Sequence, residues 1–210
     1  MSPRNTQRLT AQGGAGAIEV VANVPGPALR GIALVCHPHP LQGGTLDNKV
    51  VQTLAKAFFA LGYAAVRFNF RGVGASAGAF DEGRGETQDA LAVVADARRR
   101  YGEALPLALA GFSFGSFIVT RVAQRITAQG LVLVGAAVNR FDVPGVPADT
   151  IVIHGEEDDV VPLADVLAWA RPQALPVVVF PGSGHFFHGR LPQLLRVVTT
   201  MWPHGDGESR

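Results

Sequence analysis

Short, mostly apolar runs alternate along this chain with segments of helical period. "GIALVC" (31–36), "YAAVRFNF" (63–70), "LPLALAG" (105–111), "LVLV" (131–134), "TIVIHG" (150–155) and "PVVVF" (176–180) are such runs. An apolar run without period-two alternation reads as a strand buried on both faces. Between them, Val50, Val51, Leu54, Ala57, Phe58 and Leu61 share one face of a helix from Asn48 to Leu61, with Gly62 as its stop. A second helix carries Ala90, Leu91, Val93, Val94 and Ala97 inward, and a third runs through "FGSFIVTRVAQRITAQ" to a stop at Gly130. A fourth passes through Val166 to Ala170, and a fifth spans about Leu191 to Met201. Regular alternation of this kind predicts an α/β domain: a doubly wound, mostly parallel sheet with helices on both faces. Ahead of it, "QRLTA" and "AIEVVANV" flank Gly13-Gly14 and predict an antiparallel hairpin.

The 210 residues are read as a single domain over 1–210, frayed at 1–5 and 204–210. A net charge of +1 and the lack of any Lys/Arg run argue against nucleic acid as a partner. One cysteine, Cys36, excludes an internal disulfide framework and is read as a small core residue. The polar, glycine-rich start has no apolar segment like that of a signal peptide, and no stretch of 18 apolar residues offers a membrane span. The expectation is a soluble cytoplasmic protein without a membrane partner, acting as a monomer or homodimer.

Open α/β sheets place ligands outside the carboxyl ends of their strands. Two stretches near such ends fit G-x-S-x-G, the outline of a serine held on a tight strand-to-helix turn: "GASAG" (74–78) and "GFSFG" (111–115). Ser113 directly follows an apolar strand and precedes a helix with Phe117, Ile118, Val122 and Ile126 facing inward. Gly111 and Gly115 remove the β-carbons that would clash where strand and helix cross. Ser76 has neither context, and "GASAG" reads as a flexible loop. Ser113 is the candidate nucleophile; its bland alternative is a helix-capping serine.

A serine hydroxyl needs a base within hydrogen-bond reach and a third group to orient that base. "VIHGEEDDVVP" leaves one later strand and presents Asp158, and "VVVFPGSGHFFHG" leaves the next and presents His185. Serine, acid and histidine in this order, each just past a strand's carboxyl end, form the pattern expected for nucleophilic acyl chemistry. The rivals are Glu156, Glu157 and Asp159 for the acid and His188 for the base.

"GFSFG", "HGEEDDVVP" and "GSGHFF" resemble the motifs of the α/β-hydrolase superfamily of serine hydrolases. "CHPHPLQGGTLDNKVV", "RFNFRGVGASAG" and "GHFFHGRL" are similar to stretches of small, lidless bacterial members related to the dienelactone hydrolases. The likeness covers roughly residues 30–190. It departs at the elbow, where dienelactone hydrolases carry cysteine and this chain has Ser113. The resemblance implies that Ser113 attacks the acyl carbon, His185 relays its proton to the leaving group, and Asp158 holds the imidazole. Water would then release the acyl group.

The developing oxyanion needs preorganised N–H donors. One is expected from the backbone of Phe114 at the start of the helix. The resemblance assigns the other to His39, and within "PHP" only His39 carries an N–H. A metal reading of "HPH" needs a third and fourth ligand, and the nearest candidates, Cys36 and Asp47, belong to a strand and a helix start, so no metal and no cofactor are expected. Arg71 is read as a loop anchor through an ion pair, with direct substrate contact as the alternative. Only about 15 residues, 135–149, follow "LVLV", too few for a helical cap. The site is therefore expected to lack a lid and to be open, bordered by Phe114, Phe186, Phe187 and Val161.

The leading expectation is a serine hydrolase acting on a carboxylic ester, thioester or related acyl bond of a small molecule. Acyl transfer or peptide cleavage with the same residues is the second, and a non-catalytic binding protein on the same fold the third.

Overall fold

The computed structural model describes residues 5–203. Its eight strands form one sheet in the order β1-β2-β4-β3-β5-β6-β7-β8. β1 (Thr6–Gly13) and β2 (Gly16–Asn23) form the antiparallel hairpin, and β2 pairs antiparallel with β4 (Tyr63–Phe68). From β4 the sheet continues in parallel through β3 (Gly31–Cys36), β5 (Leu107–Phe112), β6 (Gly130–Val134), β7 (Ile151–Gly155) and β8 (Val177–Phe180).

The buried runs serve two cores at once. Along β3, Ile32, Leu34 and Cys36 join the core beneath α2 (Arg84–Tyr101) and α3 (Phe114–Ala123). Ala33 and Val35 face the core beneath α1 (Lys49–Ala60) and α5 (Leu191–Met201). A smaller cluster lies under α4 (Leu163–Ala170), around Val152, Val161 and Val166. At about 25 cal/mol per Å² of apolar surface, burial on both faces is what stabilises such a sheet. Asn48 caps α1 by accepting from the Val50 N–H at 2.9 Å, as its position predicts.

Two boundaries differ from the sequence reading. α3 ends at Ala123, not near Gln129: the Arg125 N–H tightens onto the Val122 carbonyl three residues back (2.9 Å), closing the last turn. The Gln129 N–H then bonds Leu107 O at 2.7 Å, so Gly130 begins β6 and is not a helix stop. β4 ends at Phe68 and not at Phe70, because the Phe70 N–H leaves the ladder for a histidine side chain described below. Most of the expected fraying at 1–5 and 204–210 lies outside the described residues; within them, Asn5 O accepts from the Val24 N–H at 2.9 Å. Among the described residues no helix is long and apolar enough to cross a membrane.

Candidate active site

Ser113 sits at the turn between β5 and α3 with φ 56° and ψ −118°. A non-glycine residue in that region carries roughly 1–3 kcal/mol of strain, which the surroundings must hold in place. They do so through the Ser113 N–H, which bonds Val134 O at 2.9 Å, and through Ser116, whose hydroxyl donates to Gly111 O at 2.8 Å. Both flanking glycines are demanded by contact. A Cβ on Gly111 would lie 2.5 Å from Ser116 N, and one on Gly115 would lie 2.7 Å from His37 O and closer still to the Cys36 carbonyl. The helix therefore starts hard against the end of β3.

Of the four clustered acids, Asp158 alone is buried, while Glu156, Glu157 and Asp159 are exposed. Its Oδ1 accepts from the Val160 and Val161 N–H groups (3.0 and 2.8 Å), and its Oδ2 lies 2.7 Å from His185 Nδ1. Burial pushes the Asp158 carboxyl up, but the His185 hydrogen bond, the Val161 N–H and the neighbouring imidazoles outweigh it, and the net direction is down. Asp158 is thus an anion, and the His185 nitrogen facing it must be Nδ1–H, which leaves the Nε2 lone pair free. His188 is exposed and stacks loosely on Phe186. The His185 ring packs on Phe112 (centroids 4.8 Å apart) and against Gly135, the two residues next to Ser113 and to its Val134 acceptor. Ser113, Asp158 and His185 are thereby brought to one end of the sheet. Among the described residues no hydrogen bond joins Ser113 Oγ to His185 Nε2; such bonds are often long without substrate.

Phe114 is the first residue of α3, so its N–H has no acceptor within the helix. No hydrogen bond among the described residues uses the His39 N–H, and the His39 and Phe114 rings lie 5.1 Å apart. The His39 carbonyl accepts from Gln42 and Gly44 (3.0 and 3.1 Å), which curls the loop after β3 into a short 3-10 turn over Pro40–Gln42. Phe186 is exposed at the rim, edge-on to His185 at 5.2 Å.

Three of the expected border side chains are buried instead, the first being the Phe114 ring, fully covered and packed among Phe70, Phe80, Phe117 and Phe141. Phe187 is fully buried with φ 53°, turned away from the site and packed on Phe180. Val161 is also fully buried, and its backbone holds the acid: its N–H bonds Asp158 while its carbonyl accepts from His154 Nε2 at 2.8 Å. Phe80 and Phe141 lie instead beside the His39 ring, at 4.8 and 6.0 Å. These are isolated phenylalanines in loops, which no periodicity could have marked.

Two buried histidines were also missed as supports. His154 lies 3.4 Å from Asp158 Oδ2, and its place four residues before the acid in "HGEED" was the available signal. His37 accepts the Phe70 N–H on Nε2 (2.9 Å), so its Nδ1–H donates to Pro38 O (2.7 Å). Both nitrogens of the first "HPH" histidine are therefore engaged with backbone, and the ring ties the loop carrying His39 to the end of β4. Among the described residues, no group of three or more His, Cys, Asp or Glu is placed to hold a metal. Arg71 donates two hydrogen bonds to Asp89 (2.8 and 2.9 Å) and one to Gly85 O, anchoring its loop to α2. Ser76 is buried: its hydroxyl donates to Asn69 O (2.7 Å) and accepts from Glu19 N–H (2.9 Å), so "GASAG" is a pinned loop rather than a loose one.

Burial pushes the His37 imidazole from 6.5 down to about 4, with the Pro38 carbonyl opposing the shift. A depressed pKa leaves stability intact above the unfolded value and removes it as pH falls through the folded one. Stability should therefore drop between pH 6.5 and 4, by up to about 3 kcal/mol from this group, with His154, also lowered by burial, adding in the same direction. Urea midpoints measured across that range should fall, and His37→Gln should give a shallower slope. An unchanged slope would assign the proton uptake to other groups.

The comparisons agree with this architecture. Residues 30–148, more than half of the chain, match the Hydrolase_4 family, described as serine aminopeptidase S33. An α/β serine hydrolase homologue from Coxiella burnetii superposes with a TM-score of 0.88 at 38% identity, covering 97% of this chain and 99% of that one. A serine hydrolase without a lid from Xanthomonas campestris gives a TM-score of 0.88 at 36% identity over 96% of this chain and 95% of that one. An uncharacterized protein of Rickettsia prowazekii is 37% identical over 181 residues, 80% of this chain and 76% of its own length. The segment between β6 and β7, where a lid would be inserted, contains turns and no helix. With the strained serine turn, the single-sheet topology and these relatives together, the chain belongs to the Hydrolase_4 family of α/β serine hydrolases.

Proposed function

We propose that the protein hydrolyses a carboxylic ester, thioester or related acyl bond of a small molecule, with Ser113 as nucleophile, His185 as base and Asp158 as orienting acid. The observation that carries this reading is the 2.7 Å contact between His185 Nδ1 and the buried Asp158, beside the strained turn at Ser113. With Nδ1–H held by the carboxylate, His185 Nε2 takes the proton from Ser113 Oγ as Oγ bonds the acyl carbon. The same proton then goes to the departing oxygen or sulfur as the bond to the leaving group breaks. Asp158 stabilises the imidazolium formed between the two steps. The N–H groups of Phe114 and His39 receive the oxyanion. Water, deprotonated by His185, then adds to the acyl carbon, and Ser113 leaves with the proton returned. Phe80, Phe141 and Phe186 border the substrate.

A fluorophosphonate probe should label the protein at Ser113, and Ser113→Ala should lose both labelling and p-nitrophenyl acetate hydrolysis. Labelling that persists in that variant, or moves to Ser76, rejects the assignment. The family description favours peptide cleavage as the second reading. Turnover of aminoacyl p-nitroanilides in preference to p-nitrophenyl esters would select it.

A further inference from the structure

The face opposite α2 and α3 carries a groove of about 460 Å³ between α1 and α5, a volume in the range of ligand sites. One wall is α1, where Lys49, Thr53 and Lys56 line the groove together with Gln52. Residues at this spacing share a helix face, and seven residues place the two lysines about 10 Å apart along the axis. The other wall is apolar, built from Leu191 and Leu195, one turn apart on α5.

The charge on the first wall comes from lysine. Lys49 and Lys56 are its only lysines; every other cation among its 18 basic residues is arginine. Arg67, Arg71, Arg84, Arg99 and Arg100 meet carboxylates, while among the described residues Arg30, Arg121 and Arg171 form no ion pair. Among the described residues neither Lys49 nor Lys56 has a carboxylate within ion-pair distance, and both are exposed. A concave slot with one apolar wall and two unpaired ammonium groups complements a single chain that is apolar along its length and anionic at an end. α1 leaves the loop that carries His39, and α5 leaves the loop that carries His185, so the groove begins at the same edge of the sheet as Ser113.

From this charge and shape we infer that the α1/α5 groove binds a medium-chain carboxylate from solution. Its alkyl chain lies along Leu191 and Leu195, and its carboxylate meets Lys49 or Lys56. Two lysines fall short of the four to eight basic residues by which proteins read anionic bilayers, which favours the free amphiphile over a membrane. The inference rests on the groove and is independent of the acyl-hydrolase reading.

The test uses full-length protein carrying Ser113→Ala, so that binding is read without turnover. Decanoate, kept below its micellar concentration, is titrated and followed by backbone amide shifts. Saturable 1:1 binding is expected, with shifts concentrated in residues 49–56 and 191–195. K49Q/K56Q, two exposed substitutions, should weaken it by about tenfold at low salt, and added salt should weaken only the parent. Leu195→Asn should weaken it with little change in salt dependence. Decyltrimethylammonium should not saturate the groove. Equal affinity in K49Q/K56Q, shifts centred elsewhere, equal binding of the cation, or association with phosphatidylglycerol vesicles but not with decanoate would each overturn the inference.

Discussion

Asp158→Asn is expected to lower kcat by about 10³–10⁴-fold while leaving the fold intact. The geometry fixes how the amide would sit. Val160 and Val161 both donate N–H groups to one side of the carboxylate, so the amide oxygen must stay there. The amide NH₂ then faces His185 Nδ1, which must accept instead of donate. His185 is driven to the Nε2–H tautomer, and its face toward Ser113 no longer has a lone pair to take a proton. KM should change little, because no substrate contact is altered. Steady-state kinetics with p-nitrophenyl acetate measure the loss, and ¹⁵N shifts of His185 report the tautomer. Asp159→Asn, at an exposed neighbour, is the control. A loss below tenfold in Asp158→Asn would remove Asp158 from the reaction.

Gly115→Ala should be strongly damaging for a single added methyl. The added Cβ meets the Cys36 and His37 carbonyl oxygens, which are backbone and cannot rotate away. Either α3 slides along its axis or the loop after β3 moves outward, and each motion separates the Phe114 and His39 N–H groups. Strain of this kind destabilises by about 2–4 kcal/mol. A misplaced oxyanion donor removes about 10²–10³-fold in kcat. Gly26→Ala, where nothing lies within 4 Å of the new carbon, should leave both quantities unchanged. Denaturant midpoints and kcat measured on the same preparations check the pair. A variant with native kcat would show that these two N–H groups do not serve the reaction.

The two effects differ in how readable they were. That serine, acid and histidine, following β5, β7 and β8, meet at one edge follows from parallel topology, because every parallel strand delivers its exit loop to the same edge. The glycines at 111 and 115 were equally legible, since a strand-to-helix reversal leaves no room for β-carbons. The choice among Glu156, Glu157, Asp158 and Asp159 was not legible from local composition. It depends on which side chain points inward when β7 ends, and on two backbone N–H groups that exist only once the turn has formed. The pocket was read least well. Phe187 looked like a rim residue beside Phe186, yet neighbours in an irregular loop face opposite ways, and Phe187 fills the core while Phe186 meets solvent.

By itself, then, the amino-acid sequence determined the layered sheet, the hairpin before it and the strand ends at which chemistry would be found, because these depend on short-range patterning and chain order. The tertiary structure alone decided that His37 and His154 are buried braces, that Phe80 and Phe141 gather beside His39, and that the two lysines of α1 face α5 across one groove. Those are contacts between residues distant in the chain, and their energies exist only after the sheet has folded.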